Sequence, residues 1–343
     1  MDQAALVVGP SWVGDMLMSQ ALYRRMKQQN PERRIDVLAP DWCRAVLSRM
    51  PEIDNAIAMP VGHGSLQLGV RRELAKELKK NGYHQAFVLP NSLKSALVPW
   101  LAGIPRRIGW RGEMRYGLLN DLRVLDKQAF PLMVQRYAAL AEAPLESAEQ
   151  LPPILKPKLR IDNDGQQQAL AQFNLVTDNA VAFCPGAEFG PAKRWPDYHY
   201  AALAAKLIAE GKQVWIFGSK KDHPVGEQIR QQLSPSEQAQ CINLAGETSL
   251  EQAIDLLALA DVAVSNDSGL MHMAAAVDTP LVALYGPTSP QHTPPLSDKA
   301  EVIRLIDGFI KIRKGDADQG YHQSMIDISP ELAFQSLQKW LKG

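Results

Sequence analysis

A chain of 343 residues exceeds the size at which one hydrophobic core usually stops growing, so two domains are expected. Its 46% hydrophobic and 22% charged residues are ordinary for a globular protein and argue against disorder and against a fibrous or disulfide-rich scaffold. A formal net charge of zero argues against bulk nucleic-acid binding, so an anionic partner must be met by a local basic patch.

The opening Met1, Asp2 and Gln3 lack the basic region of a signal peptide and run straight into an apolar stretch over residues 4–8. No apolar stretch approaches the roughly 20 residues of a membrane-spanning helix. Cys43, Cys184 and Cys241 are widely spaced without a C-x-x-C pair, which suits free thiols in a reducing cytoplasm. A cytoplasmic location follows, so work on a lipid would be done from the cytoplasmic side.

The next segments alternate: an amphipathic stretch at 15–29, an apolar run at 35–39, a helix at 41–50, then 56–59, a charged helix at 66–81, 86–89 and an apolar helix at 92–102. Strand-helix alternation of this kind predicts a parallel sheet. From about residue 143 the texture turns polar and proline-rich, with Pro144, Pro152, Pro153 and Pro157 before Asp162-Asn163-Asp164-Gly165, and reads as a linker. A second series then places strands at 180–184, 214–217, 242–245, 262–264 and 281–285, with helices at 198–210, 227–233, 250–259 and 270–277. A last helix is expected at 330–341.

The fold class expected is α/β, with two doubly wound domains facing a central cleft. The boundaries are 1–155 for an N-terminal domain, 156–178 for the linker, 179–328 for a C-terminal domain, and 329–343 for a helix packing back towards the first domain. Each strand of the second series ends in small or polar residues: Pro185-Gly186-Ala187, Gly218-Ser219, Gly246-Glu247-Thr248, Asn266-Asp267-Ser268-Gly269 and Gly286-Pro287-Thr288. In an open parallel sheet these carboxyl ends line the edge where ligands bind.

Gly9-Pro10-Ser11-Trp12-Val13-Gly14-Asp15 follows the first strand like a phosphate loop, but Asp15 stands where such a loop needs lysine. The G-x-G-x-x-G dinucleotide fingerprint is absent here, which counts against an oxidoreductase. What remains is a carboxylate at a glycine turn, suited to a general base or to a helix cap.

The loop over residues 185–196 carries Lys193, which suits either the charge of a departing diphosphate or a solvated surface. Ser268 and Gly269 open a small-residue helix whose amino end is a ready anion site. Asp267 caps that helix or accepts from a sugar hydroxyl, and His272 meets a phosphate or satisfies a core hydrogen bond. No second His or Cys lies at metal-ligand spacing, and the Asp-x-Asp pairs Asp162/Asp164 and Asp316/Asp318 read as turn residues, so no metal is expected. Lys94, Arg106, Arg107, Arg111 and Arg115, with Trp100 and Trp110 interleaved and Glu113 the single acid, form the local basic patch, read as an acceptor or membrane surface or as a solvated face.

In combination, residues 9–16, 88–92, 109–116, 185–196, 266–272 and 315–322 resemble glycosyltransferase family 9, the lipopolysaccharide heptosyltransferases, along essentially the whole chain. The resemblance implies a GT-B fold of two Rossmann-like domains and an ADP-activated L-glycero-D-manno-heptose donor. The acceptor it implies is the first heptose of the inner core on Kdo2-lipid A, and it implies no cofactor. It implies Asp15 as general base of an inverting displacement and Lys193 as the phosphate-facing cation. The donor-binding set it suggests is Gly14, Gly186, Ala187, Lys193, Asp222, Thr248, Asp267, Ser268, Gly269 and His272, with Asn91, Lys94, Arg111 and Arg115 meeting the acceptor. A monomer at the inner-membrane surface is expected. The rivals are a related GT-B sugar-nucleotide enzyme with another acceptor, and a nucleotide-binding protein without catalysis.

Overall fold

The computed structural model describes residues 4–62, 64–188 and 190–341. Met1, Asp2 and Gln3, Phe189 of the 185–196 loop, and Lys342 and Gly343 of the last expected segment lie outside the described residues.

The chain divides into two compact units, Met1–Leu159 and Arg160–Gly343. In the first, β1 (Ala5–Val8), β2 (Ile35–Ala39), β3 (Asn55–Ala58), β4 (Gln85–Val88), β5 (Arg106–Trp110) and β6 (Asp121–Arg123) form one sheet in the order β3-β2-β1-β4-β5-β6. All its pairings are parallel. In the second, β7 (Ala180–Cys184), β8 (Gln213–Ile216), β9 (Cys241–Asn243), β10 (Val262–Asn266), β11 (Leu281–Tyr285) and β12 (Ala300–Arg304) form a sheet in the order β12-β11-β10-β7-β8-β9, again parallel throughout. The central strands β1 and β7 are buried along their whole length, as continuous apolar runs covered on both faces by helices must be.

Each sheet reverses its order beside its first strand. The chain runs β1, β2, β3 in one direction and returns to place β4 on the other flank of β1; it repeats this with β7, β8, β9 and then β10. Crossovers leaving in opposite directions open a crevice at the carboxyl ends of the two strands involved. The residues after β1 and β4, and those after β7 and β10, are therefore where each sheet is built to receive a ligand.

Two expectations are corrected and one strand was not foreseen. The stretch read as a linker holds the helix Asn163–Phe173, capped by Asp162, whose carboxylate accepts from the Asp164 and Gly165 amides, both at 3.1 Å. This helix belongs to the second unit, where Asp255 accepts from the Asp162 amide at 2.9 Å and offers its own carbonyl to Gln166 at 2.9 Å. Arg106 and Arg107 lie within β5, a strand hidden by its charged, exposed beginning. The apolar face of the last helix, Pro330–Leu341, is used within the second unit: Ala333 and Leu337 join the core of Val181, Phe183, Trp195 and Val264.

Candidate active site

At the first switch point, β1 leads through Gly9 and Pro10 into the helix Val13–Gln29. Trp12 is the N-cap residue and makes no side-chain cap bond, so Asp15 is not the cap but the acid of the first turn, where the helix dipole favours negative charge. Gly14 and Asp15 are half-buried. Two buried groups register the nearby carboxylate. Burial, and then Asp15, push the Cys43 thiol up to about 12, and the same two causes raise the Tyr137 phenol well above its ordinary range.

Across the crevice, β4 leads into Leu89-Pro90-Asn91. The loop is fixed from below by Arg115, 0% exposed, which donates to the Pro90 carbonyl at 2.6 Å, to the Trp110 carbonyl, and to Asn91 Oδ1 at 3.4 Å. Burial pulls its guanidinium down to about 10, with Glu113 acting the other way. Arg115 was expected to meet the acceptor; the structure makes it the internal brace of the loop. Arg106 is likewise committed, to Asp121 at 2.8 Å, and Arg107 to the Leu118 and Ile104 carbonyls, each at 2.6 Å. Of the basic patch, Arg111 is exposed and Lys94 half-buried beside exposed Asn91.

At the second switch point, buried Asn266, the last residue of β10, binds three segments together. Its Oδ1 accepts from the Trp195 amide at 3.1 Å and the Tyr200 hydroxyl at 3.2 Å, and its Nδ2 donates to the Pro185 carbonyl at 2.7 Å. The loops after β7 and β10 are thus fixed to each other. Lys193 Nζ lies 2.6 Å from Asp267 Oδ2, both largely buried. Asp267 is therefore not the helix cap; Ser268 is, accepting from the Met271 amide at 3.4 Å. The helix Gly269–Ala276 begins directly behind it, with its positive end at the crevice.

His272 is buried one turn into this helix, and burial pushes its imidazole down to about 4, with Asp267 opposing and Lys193 reinforcing the shift. It is neutral at pH 7 and brings no charge to the crevice. Asp222, expected to touch the donor, is buried under the adjoining turns: its Oδ2 accepts from the Ser219 amide at 2.9 Å and hydroxyl at 2.7 Å, and its Oδ1 lies 3.7 Å from Arg194 Nη2. Gly186 is glycine because a Cβ there would stand 2.7 Å from that carboxylate. Asp222 shapes the Gly186-Ala187 turn from beneath, and Ala187 is buried beside it. Thr248 follows the edge strand β9, two strand spacings or about 10 Å from β7, and its hydroxyl leans on the Leu244 carbonyl at 3.5 Å.

The residues not anticipated are those that act through the backbone. Gly190 adopts φ 145°, and a Cβ on it would overlap the Arg313 carbonyl, which also accepts from the Ala192 amide at 3.2 Å. Residues 313–321 therefore lie against the lysine loop, held by the Tyr321 hydroxyl donating to Asp197 at 2.8 Å. Gly315, Gly320 and Tyr321 were the signal. Of the Asp-x-Asp pairs, Asp162 caps a helix and Asp316 accepts from the Gln323 amide at 3.0 Å. Among the described residues no three His, Cys, Asp or Glu side chains are grouped to hold a metal ion.

Two doubly wound sheets, each with polar equipment at its switch point, and an anion-ready helix in the second, define the α/β architecture of GT-B glycosyltransferases. The sequence pattern of glycosyltransferase family 9 (heptosyltransferase) matches residues 71–322, and the chain belongs to that family. It is 59% identical over 336 residues to lipopolysaccharide heptosyltransferase 2 of Escherichia coli K12, covering 97% of each chain. It is 56% identical to lipooligosaccharide heptosyltransferase 2 of Haemophilus influenzae, covering 98% of this chain and 99% of that one. The solved structure of E. coli ADP-heptose lps heptosyltransferase II matches with a TM-score of 0.91 at 55% identity, over 99% of this chain and 98% of the other.

Proposed function

We propose that the protein transfers L-glycero-D-manno-heptose from ADP-heptose to the first heptose of the lipopolysaccharide inner core. The observation that carries this reading is the full-length 59% identity to a heptosyltransferase of the second type, combined with an acid at the β1 switch point and a cation with a helix amino end at the β7–β10 switch point. The fold and glycosyl transfer belong to the family; donor and acceptor are inferred.

In the proposed reaction Asp15 takes the proton of the acceptor hydroxyl, whose oxygen attacks the anomeric carbon of the donor. The bond from that carbon to the β-phosphate oxygen breaks, its electron pair leaves with ADP, and the configuration inverts. One carboxylate suffices, whereas a glycosidase needs two. Lys193 and the amide end of Gly269–Ala276 offset the charge gathering on the diphosphate, so no metal is called for. Asp267 holds the Lys193 ammonium in an ion pair, in which phosphate oxygens would take the place of the carboxylate. Gly14, Gly186, Ala187, Ser268, Gly269 and His272 complete the donor contacts; Asn91, Lys94 and Arg111 meet the anionic acceptor. The protein works as a monomer in the cytoplasm at the inner-membrane surface; no helix among the described residues is long and apolar enough to cross a membrane.

The test is incubation with ADP-heptose and two truncated lipopolysaccharides, one carrying the first heptose and one ending at Kdo. Transfer is expected only to the former, and with EDTA present; transfer to the latter would reassign the acceptor.

A further inference from the structure

Three of the seven tryptophans, Trp110, Trp195 and Trp215, are core residues no more than 7% exposed, as large aromatics ordinarily are. Trp12 and Trp42 are 57% and 55% exposed. They lie 30 residues apart in sequence, yet the sheet brings them together. β1 and β2 are parallel neighbours with Val8 opposite Leu38, so the turns leaving them emerge side by side on the carboxyl edge. The Trp42 indole N–H donates to the Ser11 carbonyl at 2.9 Å, and the buried Cys43 thiol points to the same oxygen at 3.7 Å. The second turn is thereby tied to the first, one residue before Trp12 and four before Asp15.

This placement runs against local preference. Trp12 occupies the N-cap, where Ser, Thr, Asp or Asn would accept a backbone N–H, and it makes no such bond. Trp42 has its single polar atom committed to the backbone, leaving an oriented hydrocarbon surface in water. A residue that breaks the local rule without a packing gain is expected at a functional site. The electron-rich face of an indole suits the C–H face of a pyranose, which is apolar and carries partial positive charge, while the sugar hydroxyls stay at the wet rim.

We propose that Trp12 and Trp42 form an aromatic platform that binds a pyranose ring of the acceptor and positions it for Asp15. The proposal rests on the reading that the acceptor comes to the β1 switch point. It assigns the two residues to acceptor binding and gives them no part in the chemical step or in holding the donor.

The experiment uses the full chain with a de-acylated, water-soluble acceptor oligosaccharide, which removes the lipid. Trp12→Leu and Trp42→Leu keep an apolar side chain without a ring; Trp12→Phe and Trp42→Phe keep a ring. Thermal melts check that each variant folds. Each Leu variant is expected to raise the acceptor KM by about three- to tenfold, the span of one aromatic contact, with kcat and the ADP-heptose Kd little changed and the Phe variants close to wild type. Tryptophan fluorescence of the wild type should shift when the oligosaccharide alone is added, and less in either Leu variant. Three results would overturn the platform: an unchanged KM in both Leu variants, a rise seen only with acylated acceptor in vesicles, which would make the pair a membrane contact, or an equal loss of donor affinity. The fluorescence titration needs no turnover, so it still judges the platform if the acceptor is not glycosylated and the functional reading fails.

Discussion

The carboxyl ends of β1 and β7 hold the same place in their two sheets, beside the strand where the order reverses, but they are furnished differently. After β1 come a first-turn acid and the exposed Trp12, with Trp42 tied beside them from the end of β2 and the cation Arg115 turned inward as a brace. After β7 comes a lysine in an ion pair, and the adjoining end of β10 supplies a buried asparagine that ties the loops together and the open amino end of a helix. One crevice is equipped to take a proton and bind a neutral ring face; the other is equipped to hold an anion. On the proposed function the first crevice serves the acceptor, Gly14 apart, and the second the donor, a difference made by a few residues on similar sheets, which agrees with function residing in sites rather than folds.

The comparison can be broken at its strongest point first. Asp15→Asn keeps the shape but not the basicity, and kcat is expected to fall by about 10²–10⁴-fold. Steady-state turnover within a few-fold of wild type would remove Asp15 as the base. Next, Lys193→Ala should lower turnover by about 10²–10³-fold and weaken ADP-heptose binding as well, because the cation serves both the bound diphosphate and its departure. A loss confined to the acceptor KM would place Lys193 in the other half.

Arg115 and Arg111 of the first unit sharpen the contrast between bracing and binding. Arg115→Ala strips the Pro90 and Trp110 carbonyls of their buried partner and should cost about 2–4 kcal/mol in denaturant unfolding. Arg111→Ala should leave unfolding within about 0.5 kcal/mol of wild type while raising the acceptor KM. Equal stability of the two variants would contradict the buried role of Arg115.

The smallest effect concerns His272. Its folded pKa, about 4, lies below the ordinary 6.5, so between these values the unfolded chain binds the extra proton and the folded one does not. This contribution to stability is complete above pH 6.5 and is lost as pH falls towards 4. His272→Gln should flatten the decline of the unfolding free energy over that window, and donor affinity should show no histidine step near 6.5. An unaltered slope would mean that His272 titrates normally.

Much of this was legible in the sequence. Short apolar runs with small residues after them located β1, β4, β7, β8, β10 and β11 and the edge on which the ligands should sit, because a strand covered on both faces has to be uniformly apolar. Strands with charged or polar beginnings, β5 and β12, were missed, since burial there comes only later along the strand or from one side. The helix Asn163–Phe173 was mistaken for linker because its polar, glycine-bearing start matched loop composition. At the site, motif spacing located Asp15, Lys193 and the Ser268 helix, but not which charges are spent internally. Arg115 and Asp222 read as surface contacts because their partners are backbone carbonyls and a serine turn remote in sequence or unmarked by composition. Asn266, quoted within its motif, gave no sign that its amide would join three segments.

The division of labour is tested most directly by calorimetric titration of ADP-heptose into Asp15→Asn. If the carboxylate acts only on the incoming alcohol, this nearly inactive variant binds the donor within about twofold of the wild-type Kd. A Kd raised by about tenfold or more would mean that Asp15 helps hold the donor, and the separation of the two crevices into acceptor and donor halves would not stand.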